Sequence, residues 1–180
     1  MRDHDVEAIE KIIKSISKDI TINSAAAVSG ESMEIDLCKR LLNLNLKCIS
    51  EKDWNLYNEY SSNLKVDVVF ACNTFMCSKD PKVWLKNISK VSKYIIIQDL
   101  SKAARGQGRI TAPDSGDFMR YSVTNFNIIG KTDDGAIPVF DFSNCGINII
   151  NCIEYFEISP NSFGKFVLFA DISPLLNESI

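Results

Sequence analysis

The chain has 180 residues, of which 46% are hydrophobic and 24% charged, and its formal net charge is −3. This balance is typical of a globular domain with a sizeable core, and it does not favour a nucleic-acid-binding protein, which usually carries excess positive charge. No apolar run reaches the roughly 20 residues that a membrane span needs, and residues 1–10 lack the apolar stretch of a secretory signal. We therefore expect a cytoplasmic protein with no membrane partner.

The cysteine and histidine content argues against disulfide, zinc and histidine-dependent chemistry. The six cysteines include no CxxC pair, so we interpret them as small buried hydrophobic residues in a reducing compartment and expect no metal site. The only histidine is His4, near the N-terminus. A Ser-His-Asp or Cys-His hydrolase mechanism would depend on that residue and is therefore disfavoured.

The first 51 residues predict helix, strand, helix and strand. Asp5 is a candidate cap for the first helix, whose apolar stripe runs from Val6 to Ile16. The elements that follow are a strand over Ile20–Asn23, a loop over Ser24–Gly30, a helix over Glu31–Asn43 and a strand over Leu46–Ser50. Glu51 follows directly. An acid at the end of the second strand is typical of the first half of a dinucleotide-type fold.

Two almost wholly apolar strands are predicted in the middle of the chain, over Val66–Cys72 and Tyr94–Gln98. Strands of this kind need cover on both faces, which indicates a parallel sheet with helices on each side. The helix between them begins at Pro81 after the capping residue Asp80. Asp99 directly follows the second strand, at the edge where open α/β sheets bind ligands.

The last third of the chain is predicted to form a mobile basic loop and then a hairpin. The loop covers Leu100–Gly116, and the hairpin strands cover Ile147–Ile158 and Lys165–Ile172. The short link makes this pair antiparallel. Because the sequence contains no convincing domain linker, we expect one domain over residues 1–180. Its parts are an N-terminal helix over 1–17, a ligand-binding half over 18–99, and a substrate loop with the hairpin over 100–180.

Three arginines in and after this loop are candidates for binding an anionic substrate. Arg105, Arg109 and Arg120 carry guanidinium groups, which pair with phosphate or carboxylate through two parallel hydrogen bonds. The alternative is that they are solvated loop charges.

Asp99, Asp117 and Tyr121 are the candidate catalytic residues. Polar side chains on a loop over a sheet edge are good functional candidates, and a carboxylate there could take a proton from a reacting group. One alternative is a local ion pair between Asp117 and Arg120. For Asp99 the alternative is an N-cap or a salt bridge to Lys102 or Arg105.

The order of elements over residues 18–172 resembles that of class I S-adenosylmethionine (SAM)-dependent methyltransferases. Asp67–Phe75 looks like the strand that floors the SAM pocket, Asp80–Asp99 resembles the helix and strand that follow, and Lys165–Ala170 is similar to the last strand of that family. The resemblance implies an α/β fold with a Rossmann-like, mostly parallel sheet flanked by helices and a C-terminal antiparallel hairpin strand.

The resemblance also implies a set of cofactor-binding positions. In this sequence they are Asn23, Ala25, Ala27, Ser29, Glu51 and Asn73. The family places an acid and then alternate glycines in the first loop, because the backbone must approach the cofactor closely. Asn, Ala and Ser occupy those positions here. Glu51 matches the acid that accepts hydrogen bonds from both ribose hydroxyls, a role that suits a carboxylate.

The implied function is a SAM-dependent methyltransferase with an unidentified acceptor, acting alone, as a homodimer or with a protein partner. The alternative is a catalytically inactive scaffold or regulatory subunit of the same fold, which the alanines of the first loop favour. A nicotinamide-dependent oxidoreductase is a third hypothesis. The missing glycines count against it, and so does the lack of a Tyr-x-x-x-Lys pair, since Asn125 stands four residues after Tyr121.

Overall fold

The computed structural model describes residues 3–28, 32–49, 63–72, 81–100, 128–131, 138–140, 146–156 and 164–177. The helical segments in these ranges are α1 (Asp3–Ile16), α2 (Ser32–Leu37), a π-helical turn (Cys38–Leu42), α3 (Pro81–Ser89) and a 3-10 turn (Ser173–Asn177). The strands are β1 (Ala25–Val28), β2 (Leu46–Ile49), β3 (Val66–Cys72), β4 (Ser92–Leu100), β5 (Ile128–Lys131), β6 (Pro138–Phe140), β7 (Asn148–Phe156) and β8 (Gly164–Asp171). None of the described helices has the length and apolar character needed to cross a bilayer.

Six of the described strands form one sheet in the order β2-β1-β3-β4-β8-β7. Strands β1 to β4 are parallel, β8 runs antiparallel to β4, and β7 runs antiparallel to β8. Strands β5 and β6 form a separate antiparallel pair. The predicted fold class, a mostly parallel sheet with an antiparallel C-terminal hairpin, is therefore confirmed.

One face of the sheet is covered by α1, α2 and the π-helical turn. The isoleucines of α1 recur at helical spacing and are buried against this face, as the sequence predicted. They are Ile9, Ile12, Ile13 and Ile16. The strands supply Val68, Phe70, Ile96 and Phe169 to the same core. Because successive side chains of a strand point to opposite faces, these four residues face α1 while their neighbours in the strands face the other side of the sheet.

The opposite face of the sheet is covered by α3 and the 3-10 turn. Helix α3 begins at Pro81, whose fixed φ suits the first helical position, and this start was predicted. Trp84, Leu85 and Ile88 of α3 are fully buried, and Leu175 of the 3-10 turn joins them. Both faces of the parallel strands are thus covered, which explains the apolar runs over residues 68–72 of β3 and 94–97 of β4.

The helix predicted over 31–43 is confirmed over its described residues, but it changes from α-helical to π-helical hydrogen bonding part-way along. The α-helical part ends at Leu37, and Cys38–Leu42 forms a π-helical turn. Asn43 ends the turn with a φ of 54°, and its N–H donates to the Lys39 carbonyl at 3.2 Å. Asn tolerates this left-handed conformation better than most residues, so it serves here in the role that Gly usually has.

The position of the first strand was predicted wrongly. Residues 20–23 are not a strand, and Ala25–Val28, predicted as part of the loop, forms β1. Three successive alanines give little β signal, because strand propensity comes mainly from β-branched and aromatic side chains. All four residues of β1 are buried between β2 and β3. Small side chains suit such a strand, since helices cover both of its faces.

Three smaller predictions are corrected. Asp5 lies within α1 rather than capping it, and β4 extends to Leu100, so Asp99 is inside the strand. Cys48, on the edge strand β2, is exposed, although the cysteines were predicted to be buried. The β5–β6 pair was not predicted.

Candidate functional site

The strand order reverses between β1 and β3. From β1 the chain proceeds outward to β2 on one side, and then returns to form β3 on the other side of β1. Val28 at the end of β1 pairs with Ile49 at the end of β2, and Ala27 pairs with Phe70 of β3. Ligands of open α/β sheets bind outside the carboxyl ends of the strands at such a reversal. This edge of β1, β2 and β3 is therefore the candidate site, and we call it the carboxyl edge.

Three predicted cofactor positions do not lie at the carboxyl edge. Ala25 and Ala27 are buried inside β1, and their side chains belong to the core under α1. Asn23 precedes β1 at the opposite edge, where its backbone N–H donates to Asp67 Oδ2 at 2.8 Å. Their assignment to the loop after the first strand was wrong, because that strand begins later than predicted. The residues that follow β1 are Ser29 and Gly30.

Asp99 is placed at the carboxyl edge, in the penultimate position of β4. It is 2% exposed and lies opposite Phe166 of β8. Ile95 and Ile97 of the same strand belong to the core on the α3 side, so the alternation of β4 places Asp99 on that side too. Its predicted role in orienting or deprotonating an acceptor stays a prediction.

A buried ion pair lies at the same edge and was not predicted. Lys165 Nζ donates to Asp5 Oδ1 and Oδ2 at 3.0 and 3.1 Å, and the two side chains are 10% and 2% exposed. Lys165 stands near the start of β8, opposite Leu100 of β4, and β8 is antiparallel to β4. The pair therefore lies beside the carboxyl ends of the parallel strands, on the α1 side of the sheet.

The sequence does contain a signal for this pair. Asp5 precedes Ile9 by four residues and Ile12 by seven, which puts a carboxylate on the buried stripe of α1. A buried carboxylate requires a partner, because leaving a charge unpaired in the core is costly. The stripe therefore shows that a cation is needed, although it does not show which one.

Asp67 fixes the opposite, amino edge of the sheet. Its Oδ2 accepts hydrogen bonds from the Asn23 and Ser24 backbone N–H groups and from the Ser24 hydroxyl, at 2.8, 3.0 and 3.1 Å. The Asp67 N–H donates in turn to the Ser24 carbonyl at 3.1 Å. These bonds anchor the segment before β1 to the start of β3. Asp67 thereby sets the register of the two strands between which the order reverses.

Cys38 is not an activated nucleophile. Its side chain is fully buried in the π-helical turn. Burial, and after it the charge of Glu34, raises the pKa of the Cys38 thiol to about 12. The thiolate is the reactive form of cysteine, so a thiol held in this state does not act as a nucleophile near neutral pH.

The remaining predicted site residues lie outside the described residues, and their roles stay predictions. They are Ser29, Glu51, Asn73, Arg105, Arg109, Asp117, Arg120 and Tyr121. Ser29 and Asn73 directly follow the last residues of β1 and β3, and Glu51 follows β2 by two positions. In the sequence, these three residues therefore come next after the described carboxyl ends of β1, β2 and β3.

Comparisons with known proteins give matches in structure but none in sequence. No protein-family model and no curated protein matches the chain. Among solved structures, the N-methyltransferase NodS from Bradyrhizobium japonicum WM9 aligns with a TM-score of 0.53 and 7% identity, over 94% of this chain and 97% of that one. The chain has the class I methyltransferase fold.

A second methyltransferase structure agrees with this fold. Magnesium protoporphyrin IX methyltransferase (ChlM) from Synechocystis PCC 6803, crystallised with bound SAH, aligns with a TM-score of 0.51 and 9% identity. The alignment covers 93% of this chain and 82% of that one. At such low identity the shared property is the arrangement of elements in the methyltransferase fold.

Proposed function

We propose that the protein is a SAM-dependent methyltransferase that acts on an acceptor still to be identified. The observation that carries this proposal is the reversal of strand order between β1 and β3 within a methyltransferase fold. The SAH in the Synechocystis structure supports SAM as the cofactor. The free thiols of Cys38, Cys48, Cys72 and Cys152 support action in the cytoplasm, where cysteines stay reduced.

The residues of the carboxyl edge fit this cofactor. The last residues of β1, β2 and β3 are Val28, Ile49 and Cys72, and none of them carries a positive charge that would oppose a sulfonium. The chain supplies Gly30 in the segment after β1, where close approach of the backbone is needed. Glu51, two residues after β2, would accept hydrogen bonds from the ribose hydroxyls.

Bound SAM supplies a methyl group on a positively charged, already activated sulfur. The protein then has mainly to align donor and acceptor, which needs proximity rather than extensive acid–base machinery. A chain with a single histidine is suited to that task. Asp99, buried at the carboxyl edge, would orient the acceptor or take its proton.

The acceptor side of the site is proposed from the sequence. Arg105, Arg109 and Arg120 would bind an anionic acceptor, and Asp117 and Tyr121 would take part in positioning it. The acceptor would be either a small molecule or a group on a macromolecule. A homodimer or another protein partner is compatible with this arrangement.

Calorimetric titration of the full-length protein with SAM and with SAH tests the proposal. We expect saturable binding of both, and we expect Glu51→Gln to weaken it by about tenfold, the scale of one lost charge-assisted hydrogen bond. Asp36→Asn, on the exposed side of α2, is the matched control and leaves binding unchanged. No binding of either compound at millimolar concentration would overturn the proposal.

The second candidate is a catalytically inactive protein of the same fold that serves as a scaffold or regulatory subunit. The serine that follows β1 favours it, because the family has glycines in this loop. The corrected bounds of β1 weaken the case, since Ala25 and Ala27 are strand residues and not substitutes for loop glycines. A partner that co-purifies with a protein unable to bind SAM would support this candidate.

A further inference from the structure

Strand β7 forms one of the two edges of the six-stranded sheet, and no described strand pairs with its outer side. It is nine residues long and contains no lysine, arginine or proline, whereas the other edge strand, β2, has four residues that include the exposed Lys47. Edge strands are usually shielded by short length, by lysine or by proline. An apolar side chain on β7 therefore lacks this kind of shielding.

Ile150 stands out from β7 at a bulge. The pairing with β8 passes from Ile149 with Ala170 directly to Asn151 with Phe169, so Ile150 is the extra residue. It is 43% exposed, and among the large hydrophobic residues that the structure describes only Leu176 is exposed as well. The bulge thus presents an isoleucine on the surface. It also interrupts the regular ladder, which disfavours the addition of another strand at this point.

A cavity of about 220 Å³ opens beside Ile150, between β7 and the end of α1. It is lined by three isoleucines and three polar residues, which are Ile16, Ile20, Ile150, Ser15, Asp19 and Asn151. One water molecule takes about 30 Å³ in the liquid, so the cavity has room for a branched aliphatic side chain. We call Ile150 and this cavity the β7 patch.

Hydrogen bonds hold the two walls of the cavity together. Asn151 Nδ2 donates to Ser15 Oγ at 2.8 Å, which joins β7 to α1, and Ser15 Oγ donates to the Ile12 carbonyl at 2.8 Å. The Ile20 N–H donates to the Ile16 carbonyl at 2.9 Å at the end of the helix. The cavity is therefore already formed in the single chain, which lowers the free-energy cost of filling it.

The β7 patch is complementary to itself. It has an exposed isoleucine directly beside an apolar cavity, and a two-fold axis between two copies can bring the isoleucine of each to the cavity of the other. Asp19 of the lining is preceded by the exposed Lys18, so this rim has no net charge that would select a strongly acidic or basic partner. Across a two-fold axis these two charges can also pair crosswise. Both features favour a second copy of this chain as the occupant.

We propose that the protein forms a two-fold symmetric homodimer through the β7 patch, with Ile150 of each copy in the cavity of the other. The contact is made by side chains, because the bulge interrupts strand pairing, and a patch of this size suits a weak, reversible dimer.

The β7 patch lies away from the candidate site. Asn148 at the start of β7 is aligned through Asp171 with Tyr94 near the start of β4, which places the patch toward the amino edge of the sheet. The proposed dimer therefore leaves the carboxyl edge open and does not depend on the proposed methyltransferase activity.

Sedimentation equilibrium of the full-length protein, from micromolar to millimolar concentration, tests the proposal. We expect a monomer–dimer equilibrium with a micromolar Kd. Ile150→Asp should weaken the dimer by about tenfold or more, because it would bring a carboxylate into an apolar cavity. Leu176→Asp makes the same substitution at the other exposed large hydrophobic residue and is the matched control, which should leave the Kd unchanged.

Hydrogen exchange locates the contact. The amides of residues 15–20 and 149–152 should exchange more slowly at concentrations where the dimer forms, and Ile150→Asp should remove this difference. If Ile150→Asp does not fold, Ile150→Ala carries the same test, because it removes most of the exposed side chain without adding a charge. A monomer at millimolar concentration, equal effects of the Ile150 and Leu176 variants, or protection confined to other residues would overturn the proposal.

Discussion

Lys165 of β8 and Asp5 of α1 form a two-pronged ion pair that joins residues 160 positions apart in the sequence. Both side chains are almost completely buried beside the carboxyl ends of the parallel strands. The pair fixes the beginning of α1 on the sheet at the edge where the proposed site lies. It makes the N-terminal helix a part of the architecture around that site.

Asp5→Asn is expected to destabilise the protein by about 3–5 kcal/mol, because it leaves the Lys165 ammonium buried without its counter-charge. Urea unfolding followed by circular dichroism measures the change. The double variant Asp5→Leu/Lys165→Met should lose much less, since apolar replacement of a whole buried pair is often neutral. A single variant that is no less stable than the double variant would contradict this account of the pair.

Asp67→Ala is expected to cost about 1.5–3 kcal/mol, because it removes the charged acceptor of three hydrogen bonds that anchor the segment before β1. Hydrogen exchange should show faster exchange of the Asn23 and Ser24 amides. Asp19→Ala, an exposed carboxylate in the same connection, is the control and should have little effect on stability. Equal effects of the two substitutions would show that Asp67 is not an anchor.

Cys38 and Cys48 are expected to differ strongly in reactivity toward an alkylating reagent. With a pKa of about 12 and full burial, Cys38 exposes almost no thiolate near pH 8, whereas Cys48 is exposed on β2. Mass spectrometry of the folded protein after brief alkylation should find Cys48 modified and Cys38 intact. Both should react once the protein is unfolded in urea. Modification of Cys38 as fast as that of Cys48 in the folded protein would contradict the described packing.

Glu10 is expected to contribute to the acid sensitivity of the fold. Hydrogen bonds from Lys14 and then Arg40 lower the pKa of Glu10 from its ordinary 4.5. A carboxyl whose folded pKa is lowered stabilises the protein above its unfolded pKa, and this contribution is lost as the pH falls through the folded pKa. Unfolding free energies measured at several pH values below 5 should therefore fall more steeply for the unmodified protein than for Glu10→Gln. Lys14→Gln/Arg40→Gln should flatten the profile in the same direction, and parallel profiles for all three proteins would refute the assignment.

The sequence predicted best the elements in which local pattern and tertiary environment agree. The bounds of β3 were correct because its β-branched and aromatic run suits a strand covered on both faces. The start of α3 was correct because Pro81 and the stripe of Trp84, Leu85 and Ile88 point to the same helix. Agreement of independent local signals is what made these segments predictable.

The misplacement of β1 has a specific physical cause. Its alanines owe their strand conformation to β2 and β3 on either side and carry little strand preference of their own. The same limit applies to the buried pair, because the stripe of α1 shows that Asp5 is buried but says nothing of Lys165. Contacts between residues distant in sequence decide both features, and no local pattern encodes them.

The position of β8 between β4 and β7 has a consequence for how the protein is made on the ribosome. Strand β8 pairs with both neighbours along its length, and its Lys165 also forms the ion pair with Asp5 of α1. Helix α1 therefore cannot complete its docking until β8, whose Lys165 is 160 positions after Asp5, has left the exit tunnel. Nascent chains halted before that strand will keep an open edge on β4, which makes them candidates for chaperone binding during translation.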